Sequence, residues 1–149
     1  MMRLMGLDYG DARIGVAVSD ALGWTARGHC TIARKNPTDL KSSIEEIGKI
    51  LQEYSITKII IGYPKNMDNT EGENCKKVAK FAEKLQVMHP AVSIELFDER
   101  LSTAMAQKIF NNQNTKVKKG QKGALDMLAA EIILQGYLDK NARENKENN

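Results

Sequence analysis

Four acidic residues lie at or near predicted element boundaries, so that they can meet if those elements pack side by side. Asp8 lies in the first predicted strand, Asp98 and Glu99 end a later strand, and Asp126 opens the last predicted helix. Carboxylate oxygens are hard ligands, and several together can hold two Mg²⁺ ions about 3.5–4 Å apart. Such a pair of ions activates water and stabilises the leaving oxygen when a phosphodiester is hydrolysed. This chemistry requires that the acids converge at one edge of the fold.

Each acid also has a purely structural interpretation. Asp8 is close to Gly10 in a turn-forming stretch, and aspartate suits turns because its side chain bonds nearby backbone. An acid such as Asp126 at the start of a helix is favoured by the helix dipole. The strand register does not decide between Asp98 and Glu99. We expect Asp8, Glu99 and Asp126 to be catalytic metal ligands, with Asp98 as the alternative or a helper.

Positive charge is concentrated in one interval of the chain. The net charge is only +3, yet no acid lies between Glu99 and Asp126, where six basic residues fall. Four of them lie in a polar loop at 115–122 that could follow a phosphate backbone, although such runs are also common in solvated loops. We expect phosphate contacts from Arg13 and Arg100, and a clamp formed by Lys116, Lys118, Lys119 and Lys122.

The elements that must position these residues follow from the hydrophobic periodicity. The pattern predicts three antiparallel strands near 4–9, 14–18 and 29–33, a helix at 39–54, a buried parallel strand at 57–62 and a helix at 75–85. A strand at 92–97, a short helix ending at 110 and a last helix at 124–138 follow. Alternation puts Asp8 on the same face as Leu4 and Gly6, and we expect Gly6 to keep the space around the carboxylate open. On the last helix the predicted apolar stripe comprises Leu125, Leu128, Ala129, Ile132 and Gln135, with Asp126 beside it in the first turn.

This order predicts an α/β fold, an RNase H-like mixed five-stranded sheet with three antiparallel and two parallel strands, flanked by helices. Residues 1–140 form one predicted nuclease domain, and residues 141–149 a polar, disordered tail. An actin-like phosphotransferase opens with a similar acidic hairpin, but it needs two such domains, and 149 residues supply one.

Composition excludes several other classes. No apolar run approaches the ~20 residues of a membrane helix, and the first strand begins too early for a secretory signal, so we expect a cytoplasmic protein without membrane contact. Cys30 and Cys75 form no metal or disulfide pattern, and His29 and His89 have no partner pattern of a metal site.

A set of motifs, in order along the chain, resembles the YqgF family of RNase H-like proteins. The motifs are Leu7-Asp8-Tyr-Gly10, Arg13-Ile-Gly-Val-Ala17 with Ser19-Asp20, Ile61-Gly62 with Pro64, Asn66-Met-Asp68 and Thr70, Asp98-Glu-Arg-Leu-Ser-Thr103, and Asp126 with Ala129-Ala130 and Ile133-Leu-Gln135. The match covers residues 2–139. Two departures, Ala12 in place of a usual Lys and Asn69 in place of a usual Gly, bear on phosphate affinity and leave the carboxylates untouched.

The resemblance implies a metal-dependent hydrolase that uses Mg²⁺ or Mn²⁺ and processes the 5′ end of pre-16S rRNA during ribosome biogenesis. Through kinship of fold it also implies a Holliday junction resolvase. A catalytically silent RNA-binding assembly factor is a third possibility, because a fold can outlast its activity. The missing base-reading helix favours RNA over branched DNA as the partner, and the chain is expected to be a monomer or a homodimer.

Overall fold

The fold is described from a computed structural model for residues 3–36, 38–63, 72–98 and 122–147. Within these ranges the strands are β1 (Arg3–Tyr9), β2 (Arg13–Ser19), β3 (Ala26–Ala33), β4 (Ile56–Tyr63) and β5 (Ser93–Asp98). The helices are α1 (Lys41–Glu53), α2 (Glu73–Met88) and α3 (Lys122–Glu147). The predicted short helix ending at 110 falls outside the described residues.

The five strands form one mixed sheet in the order β3-β2-β1-β4-β5. β1 pairs antiparallel with β2, which pairs antiparallel with β3. β4 lies parallel to β1 on its other side, and β5 lies parallel to β4. The predicted sheet, with three antiparallel and two parallel strands, is confirmed, and β1, the strand that carries Asp8, is central.

Two apolar layers cover the two faces of the sheet. On one face Met5 and Leu7 of β1 pack with residues of α1 and α2 such as Ile47 and Phe81. On the other face Leu4 belongs to the cluster formed with α3. Burying apolar residues on both faces explains the run Ile59-Ile60-Ile61 in β4, whose members alternate between the two layers.

Glycines let α3 approach the sheet closely. A Cβ on Gly6 would lie 2.7 Å from the Cβ of Leu134, and one on Gly28 would lie 3.2 Å from the Cβ of Met127. A Cβ on Gly15 would overlap the carbonyl oxygen of Asp126. Gly6 was expected to keep space open near the carboxylate. That expectation was wrong, because the helix fills the space that the missing side chain leaves.

α3 differs from its prediction in extent and in the face it buries. It begins at Lys122 and continues to Glu147, through most of the segment predicted to be a disordered tail, and residues 139–146 are exposed. Its buried stripe comprises Ala130, Ile133, Leu134, Tyr137 and Leu138, not the stripe predicted from Leu125 and its neighbours. Apolar residues lie all around the first turns of this helix, so periodicity alone could not identify the buried face.

The edge strand β3 is also held by α3. The amide of Ala26 donates to Oε1 of Gln135, and the amide of Gly28 donates to Oε1 of Glu131, each over 2.9 Å.

In the part of the chain that the structure describes, no helix is both long and apolar enough to cross a bilayer.

Candidate functional site

Asp8 is a half-buried carboxylate near the C-terminal end of the central strand, on the face that α3 covers. Burial raises its pKa from 3.8 to about 6, and the nearby negative charge of Asp126 adds to this rise. Each effect disfavours the ionised form. A cation bound beside this carboxylate would favour its ionised form and offset both effects.

Asp126 reaches this position because it continues the buried stripe of α3. It precedes Ala130 by four residues and Ile133 by seven, so all three lie on the sheet-facing side of the helix. Asp126 was predicted to lie in the first turn of the helix. The helix begins at Lys122, so Asp126 lies in the second turn and that prediction was wrong. The stabilisation that the helix dipole gives to acids fades beyond the first turn, which weakens the purely structural interpretation of Asp126.

Gly15 brings the two acids together. It is the cross-strand partner of Asp8 in the β1–β2 ladder, and the backbone of Asp126 lies directly against its Cα. Sequence analysis missed this role. A glycine inside a strand often marks the close approach of another backbone, and that signal was available.

In the part of the chain that the structure describes, Arg13 supplies a positive charge directly beside Asp126. Its Nε donates to Oδ2 of Asp126 over 2.6 Å, and the two side chains are 36% and 24% exposed. Arg13 was predicted as a phosphate contact. In this structure it is an ion-pair partner of a proposed metal ligand.

Asp98 lies on the opposite face of the sheet from Asp8. It ends β5 in register with Tyr63, which packs against the layer formed with α1 and α2. Its neighbour Phe97 belongs to the α3 layer and meets Tyr137 edge to face, as strand alternation requires. Asp98 therefore does not share a face with Asp8 and Asp126.

A polar cluster surrounds Tyr9 at the end of β1. Arg34 lies over the Tyr9 ring at 4.9 Å and donates Nη1 to the carbonyl of Gly10. Lys77 of α2 contacts Asp11 over 3.3 Å. These basic residues, which sequence analysis did not single out, border the edge where Asp8 lies.

The other predicted contributors divide as follows. Glu99, Arg100, Lys116, Lys118 and Lys119 lie outside the described residues, and Lys122 is the first residue of α3. Cys75 is buried and Cys30 partly buried, both as free thiols. Across the described ranges, no three side chains from His, Cys, Asp and Glu gather as metal ligands would.

The donor set fits a hard divalent cation. Asp8 and Asp126 supply carboxylate oxygens, the ligands that Mg²⁺ and Mn²⁺ prefer. Burial raises the pKa of Asp8, and the charge of Asp126 adds to that rise.

Comparison with known proteins gives consistent matches over nearly the whole chain. Residues 2–140 match the model of a family described as "RuvX: Holliday junction resolvase". The chain is 43% identical over 145 residues to a Ruminiclostridium cellulolyticum protein, covering 97% of this chain and 99% of the relative. It is 45% identical over 138 residues to a Halothermothrix orenii protein, covering 93% and 95%. Both relatives carry the name "Putative pre-16S rRNA nuclease".

Solved structures confirm the predicted fold. Thermus thermophilus RuvC, in complex with a Holliday junction substrate, superposes with a TM-score of 0.51 at 12% identity, covering 95% of this chain and 96% of RuvC. At this identity the likeness shows the fold alone.

Proposed function

This chain belongs to the RuvX family of Holliday junction resolvases, and from that membership and the paired acids we propose that it is a metal-dependent nuclease that cuts phosphodiester bonds. The observation that carries the proposal is the convergence of Asp8 and Asp126 on one face of the sheet, where their mutual repulsion helps raise the pKa of Asp8 to about 6.

We assign the metal ligands to Asp8, Glu99 and Asp126. Glu99 is preferred to Asp98 because the latter lies on the other face of the sheet, in register with Tyr63. When bound, Mg²⁺ or Mn²⁺ would supply the Lewis acid and the activated water for hydrolysis.

The residues of the chain itself have separable roles. Asp8 and Asp126 hold negative charge at fixed positions, one on a rigid central strand and the other on the helix packed over it. The glycine contact at Gly15 fixes their spacing. Arg13 pairs with Asp126 and is proposed to contact a phosphate. Arg100, Lys116, Lys118, Lys119 and Lys122 are proposed to contact the nucleic-acid backbone.

For the substrate we favour an rRNA precursor, because the two relatives at 43% and 45% identity are named for pre-16S rRNA. The second candidate is a four-way DNA junction, which the description of the family favours. A cytoplasmic location follows from the first candidate. We propose that the chain acts as a monomer or as a homodimer.

The test compares purified protein, with Mn²⁺, on an rRNA-precursor fragment and on a synthetic four-way junction at equal salt. We expect cleavage of the RNA that is lost in Asp8→Asn and Asp126→Asn and kept in Asp139→Asn, a control at an exposed position of the same helix. Symmetric nicking of the junction with the RNA intact would instead identify a resolvase. Tight RNA binding without any cleavage would identify an assembly factor.

A further inference from the structure

The ion pair between Arg13 and Asp126 joins two groups to which the proposed function gives different partners. Arg13 is proposed to contact phosphate and Asp126 to bind metal, yet they contact each other over 2.6 Å. Both come from elements that are tightly packed here, since the backbone of Asp126 lies against Gly15, two residues along β2 from Arg13.

The charges around the pair explain why the contact forms. Among the described residues, the negative charge of Asp126 acts on Asp8, and Arg13 forms an ion pair with Asp126. A guanidinium keeps its charge at any relevant pH, and a short charge-assisted bond to one carboxylate oxygen is among the stronger polar contacts. The bond engages one lone pair of Asp126 Oδ2, and the guanidinium charge beside it repels an approaching divalent cation, so both effects oppose cation binding at this carboxylate.

We propose that Arg13 is a positioning residue that exchanges partners. Without a divalent cation it neutralises Asp126, and when the cation binds it releases that oxygen and turns to the phosphate of the substrate. The inference rests on the proposed function.

Two consequences with opposite signs follow. Arg13 competes with the cation for Asp126, so it weakens cation binding while nucleic acid is absent. It also strengthens nucleic-acid binding once the cation is present. A residue that merely props Asp126 in a binding orientation would strengthen cation binding, so the sign of the effect separates the two roles.

The experiment is a Mn²⁺ titration of the melting temperature, without nucleic acid, on wild type, Arg13→Gln and Arg13→Lys. We expect Arg13→Gln to bind Mn²⁺ roughly fivefold more tightly, as fits the loss of one competing, partly exposed ion pair. Arg13→Lys keeps the charge without the planar fork and should lie between the two. It also replaces Arg13→Gln as the test if that variant does not fold.

Two controls make the result specific. Arg27→Gln removes a charge from an exposed position of β3 away from Asp126 and should leave the titration unchanged. In an Asp126→Asn background, the effect of Arg13→Gln should disappear. A filter-binding assay with Mn²⁺ and an RNA strand should show weaker binding by Arg13→Gln than by wild type.

Weaker or unchanged Mn²⁺ binding by Arg13→Gln would overturn the exchange. If the wild-type melting temperature responds to Mn²⁺ and Asp126→Asn abolishes the response, the proposed metal site survives that failure. If the wild type itself does not respond, the metal site and the exchange fail together.

Discussion

At the residue scale, ionised Asp8 destabilises the folded protein. Its pKa in the folded protein is about 6, against an ordinary value of 3.8, so the folded state binds its proton more tightly than the unfolded state does. Stability from this group is therefore present at low pH and is lost as the pH rises from about 4 through 6. Above that range the ionised carboxylate opposes folding by about 3 kcal/mol.

We therefore predict that Asp8→Asn stabilises the metal-free protein at pH 7. The free energy of unfolding should increase by about 2–3 kcal/mol at pH 7 and hardly change at pH 4, because the amide carries no charge to desolvate. Urea denaturation in EDTA at a series of pH values measures the difference. Acids whose pKa is lowered, such as Asp20 and Asp39, titrate in both proteins and cancel. A difference between the two proteins that is independent of pH would contradict the assignment.

Gly15 gives a second prediction at this scale. Gly15→Ala places a methyl group within 2.5 Å of the carbonyl carbon of Asp126, so α3 must move away from the sheet. We expect a loss of about 1–3 kcal/mol in unfolding free energy and a smaller Mn²⁺ shift of the melting temperature.

Gly123→Ala, a substitution in α3, serves as the matched control. Its Cβ would meet Thr31 at an ordinary 3.5 Å, and alanine favours helices, so stability should hold or improve. Equal effects of the two substitutions would show that the contact at Gly15 is not tight.

The sequence indicated the acids Asp8 and Asp126 more readily than Gly15, which positions them. Asp8 and Asp126 follow from residue type and from their positions on predicted elements. A glycine inside a strand, such as Gly15, signals that another backbone approaches, but which backbone it is depends on how the helix packs, and residue spacing does not encode that. Asp98 and Glu99 were inseparable without the register that pairs Asp98 with Tyr63.

At the element scale, α3 explains both a success and a failure of prediction. The helix itself was predicted, but its buried face was not, since apolar residues such as Leu125 and Leu128 lie beside the buried Ile133 and Leu134. The sheet decides which side packs, because Gly6 and Gly15 leave room for one orientation. Such selection is tertiary and outweighs the local pattern.

The hydrogen bonds between α3 and the edge strand β3 yield a third prediction. Glu131→Ala combined with Gln135→Ala removes the acceptors of the Ala26 and Gly28 amides, so those amides should lose protection from hydrogen exchange. The protein should lose about 1–3 kcal/mol of stability, since Gln135 also donates to the carbonyl of Trp24. Amide exchange followed by NMR provides the measurement.

A control pair, Asn141→Ala with Glu144→Ala, changes exposed residues of the same helix beyond the sheet. Amides of β3 that remain protected in the Glu131 and Gln135 variant would show that the side chains do not cap this edge.

At the scale of the whole molecule, the fold was predictable because strand order and crossover helices leave few arrangements open. Three antiparallel strands followed by two helix-strand units give this sheet, with the start of the chain at its centre. The charge pattern was equally visible in the sequence. Its consequence for binding is a fourth prediction.

Replacing Lys116, Lys118, Lys119 and Lys122 together with Gln should weaken RNA binding roughly tenfold or more and flatten its dependence on salt. Each lost phosphate contact reduces the number of counterions released on binding. A four-charge control replaces Lys49, Lys140, Arg143 and Lys146, exposed residues of α1 and α3, with Gln. Affinity and salt slope measured by fluorescence anisotropy should change less in the control. Equal losses in both proteins would mean that total charge matters and the loop does not.

The position of the two acids along the chain has a consequence in time. Asp8 lies on the first strand to be synthesised among those described, whereas Asp126 belongs to α3, which follows all five of these strands and docks onto their sheet. A growing chain thus has one acid of the pair without the other. The pair of acids is completed only when α3 docks, so we expect the proposed metal site to be absent until that step.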